Sequence, residues 1–250
     1  ADFSLSLNED QTQIQKWVHG FAEDVLRPAA HEWDEREEFP FEIVQQAAEI
    51  GLYGWEFLMN AMADTTGLTL PVAIEELFWG DAGIGMAIMG SGLAAAGIAA
   101  AGTPEQVLEW VPQCYGTADD IKLGAFAASE PDAGSDVAAY RTRAVYEEAT
   151  DTWVLNGAKT FITNGQLADL VIVVAKTDPK LGAKGTSLIA VETTSEGFKR
   201  GRNLEKIGNK AQDTAELFFD EMKVPVENLL GEEHGGWKVL MSELVQERLI

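Results

Sequence analysis

Residues 121–136 read Ile121-Lys122-Leu123-Gly124-Ala125-Phe126-Ala127-Ala128-Ser129-Glu130-Pro131-Asp132-Ala133-Gly134-Ser135-Asp136, and the pattern of the chain changes across them. Upstream, apolar residues recur at helical spacing. Ile14, Trp17, Val18, Phe21 and Val25 share one face of a helix that Asn8 can cap. Pro28 is expected to interrupt or end that helix. Phe41, Val44, Ala48 and Ile50 continue the spacing up to a stop at Gly51. Residues 70–78 and the Ala-rich stretch to Ala101 also read as helical. Thr103-Pro104 supplies an N-cap and a first-turn proline for a further helix through Val111.

Downstream, short apolar or β-branched runs alternate with turns. Strands are expected over residues 122–128, 139–146, 152–155, 170–175, 186–192 and 215–219. Asn156-Gly157, Asn164-Gly165 and Asp178-Pro179 read as turns between them. Gly235-Gly236 then opens a helical pattern through Trp237, Val239, Leu240, Leu244 and Leu249. The expected fold class is α+β and multidomain. An all-α helical domain spans 1–120, an antiparallel β-barrel or sandwich domain spans 121–232, and 233–250 begin a C-terminal helical bundle. The last pattern reaches Ile250 with no stop signal, so we expect truncation there or a partner on its apolar face.

Composition narrows the function classes. The net charge of −23 works against sequence-independent nucleic-acid binding and against docking on anionic lipid. Cys114 is the single cysteine, which excludes an internal disulfide or a multi-cysteine zinc site. His19, His31 and His234 are scattered, and no metal site is expected. Residues 1–8 lack the basic and apolar regions of a signal peptide, so secretion is not expected. No charged residue lies between Asp81 and Glu105. That stretch is mainly Ala and Gly, which contribute little transfer energy, so a buried helix is expected and not a membrane span. The sequence carries no GxGxxG, P-loop lysine, GxSxG or HExxH motif, and no internal repeat.

Two segments hold the residue types that chemistry needs. The Ala127–Asp136 run of small residues and hydroxyls would let backbone N–H groups approach a planar or phosphorylated ligand; it also suits an ordinary turn. The second is Asn156-Gly157-Ala158-Lys159-Thr160-Phe161-Ile162-Thr163-Asn164-Gly165. Here a hairpin turn at Asn156-Gly157 is followed by a short strand, with Phe161 and Thr163 on the same side. An aromatic beside a hydroxyl can hold a ring, and it can equally be packing.

In this order, after a helical domain, the pair resembles the acyl-CoA dehydrogenase family. Ser129-Glu130-Pro131 through Asp136 is similar to its TEPxAGSD signature, with Ser for Thr. Asn156-Gly157 through Asn164 is similar to NGxKxxITN. Phe21-Ala22 to Pro28, Phe39-Pro40 to Leu52, Gly102-Thr103-Pro104-Glu105-Gln106, and Thr214 through Gly231 resemble its flanking segments. The resemblance implies FAD-dependent oxidation of an acyl-CoA to the trans-2-enoyl-CoA in fatty-acid β-oxidation. A Glu takes the α-proton and the β-hydride passes to flavin N5. The thioester carbonyl is hydrogen-bonded to acidify that proton, and desolvation raises the pKa of the base.

The resemblance also implies residue roles. Ser129 touches the flavin ring, Phe161 covers it, and Thr163, after Ile162, donates near N5. Phe126 and Ala128 run along the isoalloxazine. Ser135 lies at the FAD pyrophosphate and the thioester end of the substrate. Glu247, in Gln246-Glu247-Arg248-Leu249, stands where isovaleryl-type and long-chain-type members carry the base; many other members place it beyond the position of Ile250. Arg248 matches an arginine near the substrate. The implied partners are acyl-CoA, an electron-transferring flavoprotein, and further subunits of a homotetramer or mixed oligomer. The implied location is a bacterial-type cytoplasm or an organelle matrix. A catalytically silent partner subunit and an oxidase or monooxygenase of the same fold are the alternatives. Residues 58–66 lack the family's glycines, which leaves acyl-chain preference open, and Lys210-Ala211-Gln212-Asp213 replaces its Arg-x-Ser, which is expected to alter local contacts. Both FAD and CoA are anionic, so an acidic surface does not draw them in by net charge.

Overall fold

The computed structural model describes residues 6–247, with side chains through Ser242 except that of Val137. Two compact units emerge. One holds the chain up to Met89 together with residues 205–212; the other holds residues 90–204 and 213–245.

The first unit is helical. Asn8 caps α1 (Glu9–Phe21) in a reciprocal capping box with Gln11. Pro28 does not end this helix. The backbone widens into a π turn over Ala22–Leu26 and continues as α2 (Arg27–Arg36), with Pro28 in its first turn, where a missing N–H costs little. The buried stripe is Gln11, Val18, Ala22, Leu26 and Trp33, whereas Trp17 stays exposed. In α3 (Phe41–Glu49) the buried face is Ile43, Val44 and Ala47, and Phe41 and Ile50 are exposed. Gly51 follows it at a φ of +81°.

Helices α4 (Trp55–Met62), α5 (Thr69–Gly80) and α6 (Ala82–Met89) complete the unit. Leu58, Ala61 and Leu70 form a small core between the first two. The segment joining α4 to α5, where family glycines are missing, is organised by Asp64. Its carboxylate accepts bonds from the Thr66 hydroxyl and amide, from Thr69 and from Gln11, which hold it well below the usual carboxylate range. In the second segment of this unit, Lys210 pairs with Glu37 at 2.6 Å.

The second unit opens with α7 (Gly92–Ala101) and α8 (Pro104–Trp110), the latter capped by Thr103 as its sequence predicts. A small hairpin follows, β1 (Gly116–Thr117) with β2 (Asp120–Ile121). The main sheet contains β3 (Gly124–Ala127), β4 (Arg143–Glu147), β5 (Thr152–Thr163), β6 (Leu170–Lys176), β7 (Thr186–Glu192), β8 (Phe198–Asn203), β9 (Thr214–Pro225) and β10 (Leu229–Leu230). Their order is β10-β7-β6-β4-β5-β9-β8, and β3 pairs with β6. Most ladders are antiparallel, but the sheet is mixed. β3 and β6 run parallel from Gly124↔Leu170 to Ala127↔Val173, and a parallel bridge joins β4 to β6. A parallel pair needs a crossover, which β4 and β5 provide. Helix α9 (Gly236–Glu247) starts where His234 donates its backbone N–H to Ser187 and its ring meets the Thr177 hydroxyl.

Alternation sets the core. Ala125, Ala127, Trp153, Leu155, Val171, Val173, Ile189, Val191, Leu217 and Phe219 share one apolar cluster. Every residue from Leu170 to Ala175 is fully buried, as expected of a strand covered on both faces. Helix α7 provides the second cover. A Cβ on Gly97 would come within 3.0 Å of the Phe126 ring, so this helix is made of small residues in order to lie close to the sheet. The stretch Ala82–Ala101 has a mean hydropathy of 1.7 and is long and apolar enough to cross a membrane. Half of it is buried in the fold, and a turn at Gly90-Ser91 separates α6 from α7.

Asn156-Gly157 is not a hairpin. β5 runs unbroken through it for 12 residues, with a register shift between Leu155 and Gly157 against β9. The glycine is needed for close approach, because a Cβ there would lie 2.7 Å from the Cα of Thr142, the residue leading into the adjacent strand β4. The strands expected over 152–155 and 215–219 are therefore halves of longer ones. β8 was invisible to periodicity because Lys199, Arg200 and Arg202 give it the charged character of an edge strand. By its contacts the chain divides at Met89/Gly90, because α7 and α8 pack on the sheet unit.

We expect Gly157→Ala to destabilise the protein by about 1–3 kcal/mol through overpacking on Thr142. Denaturant unfolding reads this directly, and an unchanged midpoint would show that the close approach is not required.

Candidate functional site

The two signature segments are joined by one buried ion pair. Lys159 points inward from β5, its side chain fully buried, and its Nζ lies 2.8 Å from Glu130 Oε1. The same ammonium donates to the Ala128 carbonyl at 2.9 Å. The Glu130 carboxylate also accepts from the Arg141 N–H at 2.6 Å and the Thr142 N–H at 3.0 Å. Between these anchors, the Thr160 N–H donates to the Ser129 carbonyl at 3.0 Å. Three consecutive residues, 128–130, are thus fastened to residues 159–160.

Electrostatics follow from this geometry. Burial is the larger influence on Lys159 and pushes its ammonium down to about 8, against the pull of Glu130. Burial alone would raise Glu130; Lys159 and the donors from Thr142 and Arg141 outweigh it and hold the carboxyl below its usual value. The buried Tyr140 ring lies 5.0 Å from Lys159 Nζ and 5.6 Å from Lys176 Nζ, an added attraction for both cations.

Beyond the pair, the chain turns back on itself. Glu130 and Ala133 exchange both backbone hydrogen bonds, so Pro131-Asp132 forms a tight tip. Ser129 is half-buried at its base, and Ser135 is exposed beyond it. On β5 the register shifts again between Lys159 and Ile162. The residue at that shift is Phe161, with a φ of +58° and 68% exposure. Left-handed backbone costs a non-glycine residue about 1–3 kcal/mol. Leaving a Phe ring in water forgoes roughly 1.5–3 kcal/mol of burial. The bulge holds an aromatic face outward at both costs, directly after the residue bonded to Ser129.

The expected site residues divide accordingly. Ser129 and Phe161 are brought together by the Thr160 bond. Phe126 lies on the face of β3 opposite the core residues Ala125 and Ala127, and Ala128 directly follows the strand; both are half-buried. Thr163 is half-buried and pairs with Thr214. The Ile162 side chain faces the other way, into the core at 2% exposure, so only its backbone can meet a ligand. The side chain of Glu247 and all of Arg248 lie outside the described residues. A groove of about 700 Å³ elsewhere in this unit is lined by Glu105, Glu109, Glu192 and Glu227 and by none of these residues; its charge suits no phosphate ligand.

Sequence reading passed over three residues that build the site. Glu130 and Lys159 could have been singled out as opposite charges inside runs of small and apolar residues. The third, Asn164, is fully buried at a φ of +61° and donates to the Gly124 carbonyl at 2.9 Å, clamping the end of β5 to the start of β3. The exposed ring, the nearby hydroxyls and the small Ala128 fit one edge of a planar heterocycle such as a flavin. Among the described residues no cluster suits a metal ion.

A helical unit is followed by a mixed sheet that presents an exposed aromatic beside a hydroxyl-bearing turn. The chain matches the acyl-CoA dehydrogenase N-terminal domain over residues 8–116 and the middle domain of the same family over residues 125–222. It belongs to the acyl-CoA dehydrogenase family. It is 42% identical over 238 residues to the mitochondrial long-chain specific acyl-CoA dehydrogenase of Mus musculus, covering 93% of this chain and 54% of that protein. It resembles the structure of butyryl-CoA dehydrogenase from Megasphaera elsdenii with a TM-score of 0.86 and 35% identity, over 99% of this chain and 65% of that one. It also resembles PigA in its FAD complex, with a TM-score of 0.86 and 27% identity, over 98% and 64%. The chain therefore spans about half to two thirds of the length of these proteins.

Removing either member of the Glu130–Lys159 pair should cost about 3–5 kcal/mol, because the other is left buried and unpaired. Lys159→Met with Glu130→Gln together should cost clearly less than the sum of the two single changes. A double-mutant cycle by denaturant unfolding checks this, and additive losses would contradict the pairing. Glu130 titrates lower when folded, so its contribution is complete above about pH 4.5, the usual value. It is lost as pH falls through the folded value. The acid limb of stability should be shallower in Glu130→Gln than in the wild type.

Proposed function

We propose that the protein carrying this chain oxidises an acyl-CoA thioester to its trans-2-enoyl-CoA with FAD, and passes the electrons to an electron-transferring flavoprotein. The observation that carries the reading is the exposed Phe161 on its strained bulge, tied through Thr160 to the Ser129 turn. The family's two signatures meet at that point.

In this reading, Phe161 covers one face of the ring. The hydroxyls of Ser129 and Thr163 bond to its edge, with the backbone of Phe126, Ala128 and Ile162 alongside. Ser135 serves the pyrophosphate and the thioester end of CoA, and Arg248 contacts the substrate. When bound, FAD supplies the acceptor for the β-hydride. Glu247 takes the α-proton, so the C–H bonds at both carbons break as the double bond forms and two electrons leave with the hydride. Donors around the thioester carbonyl stabilise the developing enolate. Further subunits, in a homotetramer or mixed oligomer, complete the site. Its setting is a bacterial-type cytoplasm or an organelle matrix.

The full-length protein should purify with FAD, and its visible flavin band should bleach when acyl-CoA is added without oxygen. A series of chain lengths then defines the substrate. Protein that holds FAD but bleaches with none of them would overturn the activity. Glu247→Gln should retain FAD and lose turnover by about 10²–10⁴-fold, the range for a general base. Unchanged turnover would remove Glu247 from the mechanism.

A further inference from the structure

We propose that the buried Glu130–Lys159 pair is the positioning device of this site: it fixes the Ser129 turn against the Phe161 bulge so that the two grip one planar ring. The inference rests on the flavin reading above and deepens it by naming what sets the ring's seat.

Four observations support it. First, the pair is shut away from water, the Lys159 side chain completely and that of Glu130 nearly so, so its partners are fixed by the fold and not by solvent. Second, the Lys159 ammonium divides its bonds between Ala128 O at 2.9 Å and Glu130 Oε1 at 2.8 Å. It therefore holds the residues on both sides of Ser129. Third, the Thr160 N–H takes the Ser129 carbonyl itself at 3.0 Å, one residue before Phe161. Displacing the lysine would free the Ala128 carbonyl and part the Glu130 carboxylate from β5, leaving the Ser129–Thr160 bond alone to hold the turn against that strand. Fourth, Glu130 is anchored from its other side by the Arg141 and Thr142 amides, so the pair has a fixed base outside both segments.

The choice of an ion pair over apolar residues is itself informative. A buried pair contributes little more stability than well-packed hydrophobic residues of similar volume. It does contribute direction. The ammonium must meet its acceptors within hydrogen-bonding distance, which an apolar contact does not enforce. Neither group is placed to touch the ring, so the pair acts through Ser129 and Phe161 and not on the reaction directly.

The test uses the full-length holoprotein with Lys159→Met and Glu130→Gln combined, the version in which no charge is left buried and unpaired. Folding is followed by far-ultraviolet circular dichroism and thermal melting. FAD affinity and the visible circular dichroism of bound flavin report the seat. The proposal expects a folded double variant whose FAD dissociation constant rises at least tenfold and whose visible flavin signal changes shape. A folded variant with wild-type affinity and an unchanged flavin signal would overturn it, since a purely structural pair would leave both alone. Should the double variant not fold, Lys159→Arg, which keeps the charge on Glu130 but redirects the donors to Ala128, is read in the same way. Failure of the underlying flavin reading is distinguishable, because the wild-type protein would then bind no FAD.

Discussion

Most of what distinguishes this chain depends on a lysine whose side chain is wholly removed from water. Lys159 carries a charge into the sheet unit, and burial works against that charge. The structure answers with a carboxylate, a carbonyl and an aromatic face. Each of those partners belongs to, or lies close beyond, the turn that begins at Ala128. Satisfying the lysine therefore settles where the turn goes. Sequence-distant segments become one surface because a buried cation has few acceptable neighbours.

The rest of the second unit makes room for that arrangement. β5 bends twice, once at Gly157 to let Thr142 approach and once at Phe161 to turn a ring outward. Asn164 then closes the strand onto β3. On the opposite side of β3, the small residues of α7 allow the helix to press against Phe126. Strain and exposure coincide at Phe161, while β6 and β7 of the same sheet are among the most deeply buried parts of the chain. A rigid sheet carrying one strained, exposed aromatic is a reasonable design for holding a ligand whose geometry must be fixed.

Much of this was legible in the residues. The switch from helical spacing to strands near Ile121, the caps at Asn8 and Thr103, and the strand Thr186–Glu192 follow from local rules that tertiary packing did not override. Asn156-Gly157 misled because the same dipeptide that favours a tight turn also permits a bulge, and only the neighbouring strand decides between them. Pro28 misled because a π turn ahead of it let the helix continue. The parallel β3/β6 pairing and the charged edge strand β8 leave no periodic signal at all. At the site, the two signatures pointed to these two segments but not to the bond between them. Periodicity treats Glu130 and Lys159 as surface charges, and only the fold shows that they are buried together.

The central claim is that these two segments, locked by the buried pair, seat one flavin ring. The most direct measurement is a crystal structure of the full-length protein with FAD. The account predicts the isoalloxazine lying against the Phe161 ring, with the Ser129 hydroxyl within hydrogen-bonding distance of its edge and the Lys159–Glu130 contact intact beneath. An isoalloxazine bound away from Phe161, or a flavin seated with Lys159 turned out of its pair, would contradict it.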